Sequence, residues 1–439
     1  MRQHIQDDDR LYTFLLPVVL RAIRRSFRRF HVSGWERVPK DGSVIFVTNH
    51  SCSLMDPLVM LLADGHKVVF MARADMFRRP AAARILHWLR ILPIYRIRDG
   101  VSAVKSNSGA IAEAVGVLRD RCPLCLYPEG THRPKHSLLP LGKGVCHIAI
   151  EAVRELGDAH PVYIVPAGIE YTDYFRFRPD VELQIGEPIN VTEFLKKGQQ
   201  VNESTGQQAI LMNALRERLT LAMRKLFTWI PDDDNYEAIL EQAKLYAAPS
   251  SEAQLHLWIR KEFNQTRIDE MLKLREWYPD KAARLFSDTL QFKKERERAR
   301  VSVFSTRHRS GTALWLSPLL KTLLALLILP VWLACAVLAL PVWLIAEIIA
   351  SRPKDPAWKN TCRFGVCFVG IPLLTVLVAV LSFLFLAWPL ALPLTLFTFF
   401  GLPVEIFYDV CEFLRRLLSD WRWLFNPRLR RLYDSLRIV

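Results

Sequence analysis

Two long apolar blocks near the C-terminal end, residues 313–350 and 364–404, limit what this chain can fold into more than any other feature. Between Ala313 and Val404 the charged side chains are Lys321 and Glu347, and then a cluster of Arg352, Lys354, Asp355, Lys359 and Arg363 that separates the blocks. Apolar runs of this length read as membrane segments. As one straight helix the first block is about 57 Å long at ~1.5 Å per residue, against a hydrocarbon core of about 30 Å. The expectation is therefore a fold-back near Pro330 or Pro341, and in the second block near Pro389 or Pro393. Basic residues lie before, between and after the blocks (Arg307 and Arg309; Arg352, Lys354, Lys359 and Arg363; Arg415, Arg416 and Arg422). Basic flanks favour the cytoplasmic side, and two helical hairpins, spanning or re-entrant, keep all three flanks there. Two long kinked helices are the competing arrangement.

The formal net charge of +15 suits an anionic surface or a phosphate-bearing ligand. No nucleic-acid-binding pattern accompanies it, so membrane lipids are the expected partners and nucleic acid is not. The eight cysteines are scattered. Cys122 and Cys125 form a C-x-x-C within an apolar stretch, without a second pair at zinc spacing, and read as reduced core thiols with no metal site. Near the start, LYTFLLPVVL (11–20) is short, follows Asp7, Asp8 and Asp9, and precedes Arg21, Arg24, Arg25, Arg28 and Arg29. These flanks do not suit a secretory signal. An interfacial helix with its arginines at lipid headgroups and an ordinary amphipathic surface helix fit equally.

From residue 43 to 190, short apolar runs alternate with helix-like runs. Strands are expected at 43–48, 67–72, 91–97, 123–128, 162–171 and 182–187, and helices at 57–64, 76–90, 102–119 and 144–156. This alternation predicts an α/β domain, a sheet flanked by helices. Residues 207–310 lack glycine and carry periodic apolar positions, so they read as helices broken near Pro231, Pro249 and Pro279. The expected divisions are an amphipathic segment (1–34), the α/β domain (35–200), a helical region (201–312), the membrane region with its hairpins (313–405) and a basic tail (406–439).

Four segments carry chemistry. In Thr48-Asn49-His50-Ser51-Cys52-Ser53-Leu54-Met55-Asp56-Pro57, a strand leads into a helix that Asp56 and Pro57 are placed to start as N-cap and N1. The loop can fold so that the Asp56 carboxylate accepts the His50 Nδ1 proton and leaves Nε2 to take a proton from an alcohol; a loop histidine beside a capping aspartate is the plainer reading. Tyr127-Pro128-Glu129-Gly130-Thr131-His132-Arg133 ends another strand, where a glycine among polar residues can turn backbone N–H groups toward an anion. In Leu92–Asp99, Arg96 and Arg98 alternate along a strand and share a side, as phosphate ligands or as surface arginines. Ile164–Glu170 is an apolar strand interrupted by Pro166 and Gly168.

In this order and spacing the four segments, over about residues 35–190, resemble the glycerolipid acyltransferase superfamily, which includes the lysophosphatidate acyltransferases. The resemblance implies that family's α/β fold and transfer of an acyl group from a thioester, acyl-CoA or acyl-carrier-protein, to a phosphorylated glycerol, with no cofactor beyond these substrates. It implies His50 as general base with Asp56 behind it, and Arg96 as the main phosphate ligand. Glu129, Gly130, Thr131, Arg133, Lys143 and Arg98 join the substrate site, and Pro166 lines the acyl-donor side. Two departures stand out. Five residues separate His50 from Asp56 where four are usual, which is similar to the fungal-type glycerol-3-phosphate and dihydroxyacetone-phosphate acyltransferases. That favours glycerol-3-phosphate over lysophosphatidate or another lysophospholipid as acceptor. In E-G-T-R the arginine is displaced by one, to Arg133. The implied protein is an integral-membrane enzyme with its catalytic domain on the cytoplasmic face. Ser51, Cys52 and Ser53 stand close enough to His50 to raise an acyl-enzyme, against which the family's direct transfer argues.

Overall fold

Four of the six residues of SVIFVT (43–48) are β-branched, a composition suited to a strand buried on both faces. A computed structural model describes residues 4–65, 68–95, 107–158, 160–199, 207–247, 257–307 and 312–436, and there this segment is β2 (Ser43–Thr48), buried throughout. The other strands are β1 (Phe30–Ser33), β3 (Val69–Arg73), β4 (Ile91–Ile94), β5 (Leu124–Leu126), β6 (Val162–Tyr171), β7 (Val181–Ile185) and β8 (Ile189–Asn190). They form one mixed sheet of order β1-β7-β6-β2-β5-β3-β4, with β8 on β6. β2 runs parallel to β5 and β6, and β3 to β4 and β5, while β7 and β8 run antiparallel to β6.

The helices that join these strands are α2 (Met55–Asp64), α3 (Pro80–Trp88), α4 (Asn107–Arg119) and α5 (Gly144–Leu156). Right-handed crossovers decide their faces. The steps β2-α2-β3 and β3-α3-β4 move one way along the sheet, and β4-α4-β5 and β5-α5-β6 move the other way, so the two pairs of helices cover opposite faces. Ile45, Val47, Leu124 and Ile164 meet Val115, Leu118, Val145 and Ile148 of α4 and α5 in one core, which α6 (Val191–Gln199) and α7 (Gln207–Arg224) extend through Leu195, Leu215 and Leu219. The intervening residues of β2, Val44 and Phe46, are equally buried and face the other side.

Pro166 breaks the usual rule against proline in a central strand, and the topology explains it. On one side β6 pairs continuously with β2. On the other it pairs with β8 at Tyr163 and Ile164 and with β7 from Ala167 onward. Pro166 falls in the gap between those two ladders, where no backbone donor is needed.

The chain forms two compact units: residues 1–175, 179–227 and 355–361, and residues 176–178, 228–354 and 362–439. The first is wider than the expected stretch 35–200. It takes in α1 (Arg10–Arg25), the helix α7 and a short segment from between the apolar blocks. Helix α1 buries Tyr12, Leu16 and Ile23 and exposes Leu11, Phe14 and Val18.

The second unit contains α8 (Tyr236–Ala247), α9 (Leu257–Trp277) and α10 (Pro279–Arg298), where Pro279 occupies the first turn of its helix. A buried two-pronged pair, Arg296 with Glu241 at 2.7 and 2.9 Å, ties α10 to α8.

The first apolar block forms one helix, α11 (Thr312–Ala350), with Pro318, Pro330 and Pro341 inside it. The fold-back expected near Pro330 or Pro341 is absent. The expected excess length came from counting the whole block as apolar. Lys321 pairs with Asp420, and Glu347 with Arg363 at 2.8 Å. The roughly 25 residues between these two charges amount to ~37 Å, enough by length alone for one tilted crossing. Prolines bend such a helix rather than reverse it, because neighbouring groups take up the freed carbonyls. The second block does break, between α12 (Lys359–Phe385) and α13 (Trp388–Phe399), with Pro389 in the first turn of α13 and Pro393 inside it. Next comes α14 (Leu402–Leu424), bent by 61° from α13, and then α15 (Pro427–Ser435). Among the described residues two helices are long and apolar enough to cross a membrane, or three if the bent pair counts as one span. Without the first fold-back, the basic flanks on either side of α11 fall at opposite ends of one helix.

Candidate active site

Strands β2 and β5 are parallel neighbours, so their carboxyl ends open onto the same edge of the sheet, the usual place for a ligand in such folds. His50 leaves the end of β2, and the Tyr127–Arg133 segment leaves the end of β5. Asn49 fixes the departure. Its side chain accepts from Ile169 N at 2.7 Å and donates to Ile169 O at 3.0 Å, which extends the grip of β2 on β6.

His50 Nδ1 donates to Asp56 Oδ2 at 2.7 Å. The same oxygen accepts from Ser51 N and Cys52 N, both at 2.8 Å, and Oδ1 accepts from the Tyr171 hydroxyl at 2.7 Å. Asp56 is fully buried. An unpaired carboxylate there would cost several kcal/mol. Four donors, about as many as a carboxylate can take, offset that cost and hold the group as an anion. The His50 side chain is 17% exposed. With Nδ1 committed as a donor, Nε2 is the basic nitrogen of the neutral ring.

Asp56 does not cap its helix. Leu54 is the N-cap, Asp56 lies in the first turn, and its carboxylate turns back onto the loop. The five intervening residues fit because Ser53 is left-handed (φ 50°) and Met55 N donates to Cys52 O at 3.0 Å, a tight turn that absorbs the extra length. Ser51, Cys52 and Ser53 are all buried, and burial, with Asp56 nearby, pushes the Cys52 thiol well above its ordinary value.

Glu129, expected among the substrate ligands, holds backbone instead. Oε1 accepts from His50 N at 2.9 Å and Oε2 from Leu139 N at 3.0 Å. Burial raises its carboxyl above the ordinary value, and those two N–H bonds oppose the rise. Gly130 is left-handed (φ 65°), and its N–H donates to Tyr127 O at 3.1 Å rather than facing an anion. Thr131 is half-buried. Arg133 N donates to His50 O at 2.9 Å, and its guanidinium reaches Ser137 Oγ at 2.5 Å. Lys143 is exposed at the N-cap of α5. Pro166 is buried within the sheet, with its carbonyl accepting from Gly186 N, and so does not line an open acyl-donor surface. Arg96 and Arg98 lie outside the described residues; β4, which leads toward them, is parallel to β3 and shares its direction with β2 and β5.

Three partners were not foreseen from sequence: Asn49, Tyr171 and His132. The His132 ring lies edge-on to His50 at 5.4 Å between centroids, and Tyr127 lies tilted against His50 at 4.6 Å. Among the described residues no group of three or more His, Cys, Asp and Glu is arranged to hold a metal ion. A buried carboxylate behind a partly exposed imidazole can support deprotonation of a hydroxyl group.

A family model described as Acyltransferase matches residues 29–170. Through this region, about a third of its length, the chain is similar to the Acyltransferase family. A 1-acyl-sn-glycerol-3-phosphate acyltransferase of Borreliella burgdorferi is 26% identical over 120 residues, 27% of this chain and 46% of that protein. The glycerol-3-phosphate O-acyltransferase 2 of Saccharomyces cerevisiae is 30% identical over 121 residues, 28% of this chain and 16% of that protein. The chain thus spans less than half the length of either curated relative. A solved structure of the 1-acyl-sn-glycerophosphate (LPA) acyltransferase PlsC from Thermotoga maritima shares 23% identity with a TM-score of 0.32, over 48% of this chain and 82% of that one.

Proposed function

We propose that the chain transfers a fatty acyl group from an acyl thioester to the hydroxyl of a phosphorylated glycerol at a membrane surface. The observation that carries this reading is the fourfold-saturated Asp56 carboxylate behind His50. His50 Nε2 takes the proton of the acceptor hydroxyl as its oxygen bonds to the thioester carbonyl carbon. Asp56 stabilises the imidazolium without taking the proton. The tetrahedral oxyanion collapses, the C–S bond breaks, and the imidazolium returns the proton to the leaving thiolate. The buried hydroxyls and the raised thiol beside His50 make poor nucleophiles, which favours direct transfer over an acyl-enzyme.

Glycerol-3-phosphate is the proposed acceptor, on the five-residue spacing between His50 and Asp56. Arg96, with Arg98 and Lys143, is the proposed phosphate grip. The donor is acyl-CoA or acyl-carrier-protein. Helices α11 and α12 anchor the protein in the bilayer. The connection between them carries Arg352, Lys354, Lys359 and Arg363, which favours the cytoplasmic face for that connection and for the catalytic unit that includes residues 355–361.

An acceptor panel with wild type and His50→Ala tests the reading. Loss of general-base catalysis is worth about 10²–10⁴-fold, so the variant should lose at least a hundredfold with every acceptor. Wild type should prefer glycerol-3-phosphate to lysophosphatidate. A variant with full activity refutes the mechanism, and the reverse preference refutes the acceptor.

A further inference from the structure

A second histidine–carboxylate pair adjoins the first. His132 Nε2 donates to Asp355 Oδ2 at 2.7 Å. Asp355 is 223 residues away in sequence, in the connection between α11 and α12, yet residues 355–361 cluster with the catalytic unit. The carboxylate is placed from both ends: Oδ1 accepts from Ala357 N at 2.9 Å and caps the short 3-10 turn Pro356–Trp358. That segment is seated on the same unit by two more contacts. The Trp358 ring meets His132 edge-on at 6.1 Å, and Asn360 Nδ2 donates to Tyr174 O at 2.9 Å. Ala357 and Asn360 are buried. Partial burial pushes the Asp355 carboxyl up, but the bonds from Ala357 N and His132 outweigh it and the net direction is down, as expected for a carboxylate held ionised.

We propose that Asp355 and His132 are a positioning pair for His50. The Asp56 bond pins His50 at Nδ1 but leaves the ring free to tilt about that contact. Tyr127 and His132 both lie against the ring and limit its tilt, so Nε2 is aimed at one place. His132 can do this only in one orientation, and Asp355 sets it. His132 stands where the family motif carries its arginine; in this chain the position is filled by a ring that contacts the base. The catalytic geometry thereby depends on the connection between two apolar helices being in place.

The inference rests on His50 being the general base, and the experiment separates the two. In the full-length protein in its membranes, kcat and KM for acyl donor and acceptor are measured for His50→Ala, Asp355→Asn, His132→Phe and the Asp355→Asn/His132→Phe double variant. Asparagine keeps the acceptor that caps Ala357 but turns an amide N–H toward His132. Phenylalanine keeps a ring beside His50 but removes the hydrogen bond to Asp355. Outer residues that orient a catalytic group typically change activity by about 10–100-fold. Asp355→Asn should therefore lower kcat about tenfold, leave both KM values within about twofold and leave the melting temperature unchanged, and it should have no effect in the His132→Phe background. If His50→Ala is inactive while Asp355→Asn keeps wild-type kcat, or costs as much in the His132→Phe background as it does alone, the positioning pair is overturned and the general base stands. If His50→Ala stays active, the functional reading falls and the pair's purpose falls with it.

Discussion

The chemistry of the site is concentrated on one carboxylate. Tyr171 reaches it from the end of β6, 115 residues from Asp56 in sequence. Tyr171→Phe leaves Oδ1 buried without that donor. A hydrogen bond to a charged group is worth about 1.5–3 kcal/mol, so the variant should lose about that much stability in urea unfolding and about tenfold in kcat. Glu129 gives a pH signature. Its carboxyl is raised by burial, so between the ordinary carboxylate value and the raised one the folded state holds more protons than the unfolded state. Stability therefore falls as pH rises through that window. Glu129→Gln should remove this slope from a plot of melting temperature against pH; an unchanged slope would assign it elsewhere. The His50–Asp56 pair was readable because one short strand-to-helix connection joins the two residues. Tyr171, Asn49 and His132 were not, since their partnership is created by strand order and by a connection more than two hundred residues away.

At the scale of elements, the strands at 43–48 and 162–171 and the helix at 144–156 have the bounds their residue patterns suggested. Long apolar runs with turn residues at each end leave few alternatives. Strands β1 and β8 went unread because FHVS follows an arginine-rich stretch and two-residue Ile189–Asn190 is too short to show a period. The single helix of α11 was misread for a different reason. Hydropathy marks where apolar residues lie but does not show that Lys321 and Glu347 find partners that let them bound the apolar stretch. Close approach also sets sequence within strands. A Cβ on Gly168 would sit 2.5 Å from Leu226 O and 2.6 Å from Leu226 Cβ, in the turn that follows α7. Gly168→Ala should thus destabilise the first unit by about 1–3 kcal/mol, the range for overpacking, read as a lower melting temperature. An unchanged value would mean that residues 225–227 can shift.

At the scale of the whole molecule, two apolar helices with largely exposed flanks, α11 and α12, predict behaviour that can be measured without assaying catalysis. Full-length protein should remain in the pellet when membranes are washed with alkaline carbonate. Recovery in the supernatant would mean that the apolar helices are covered by protein rather than lipid. Helix α1 has a further whole-molecule role. At its start Tyr12 packs on Trp88, and Arg90 reaches Asp7 O, beside the β4 edge of the sheet. Beyond its end Phe27 packs on Tyr171 and Arg28 pairs with Asp180, beside β7, the partner of β1. At ~1.5 Å per residue its 16 residues cover about 24 Å, most of the width of seven strands spaced ~4.8 Å apart.

This diagonal strap carries a timing problem. Phe30 must wait for Val181 before it can pair. At about 5–20 residues per second of synthesis, the ribosome takes roughly 8–30 s to make the intervening chain. Throughout that interval the segment that carries Leu11, Phe14 and Val18 and ends in arginines has no sheet beneath it. Made before its partner strand and fastened after it, the helix stays open to other apolar surfaces for that whole interval.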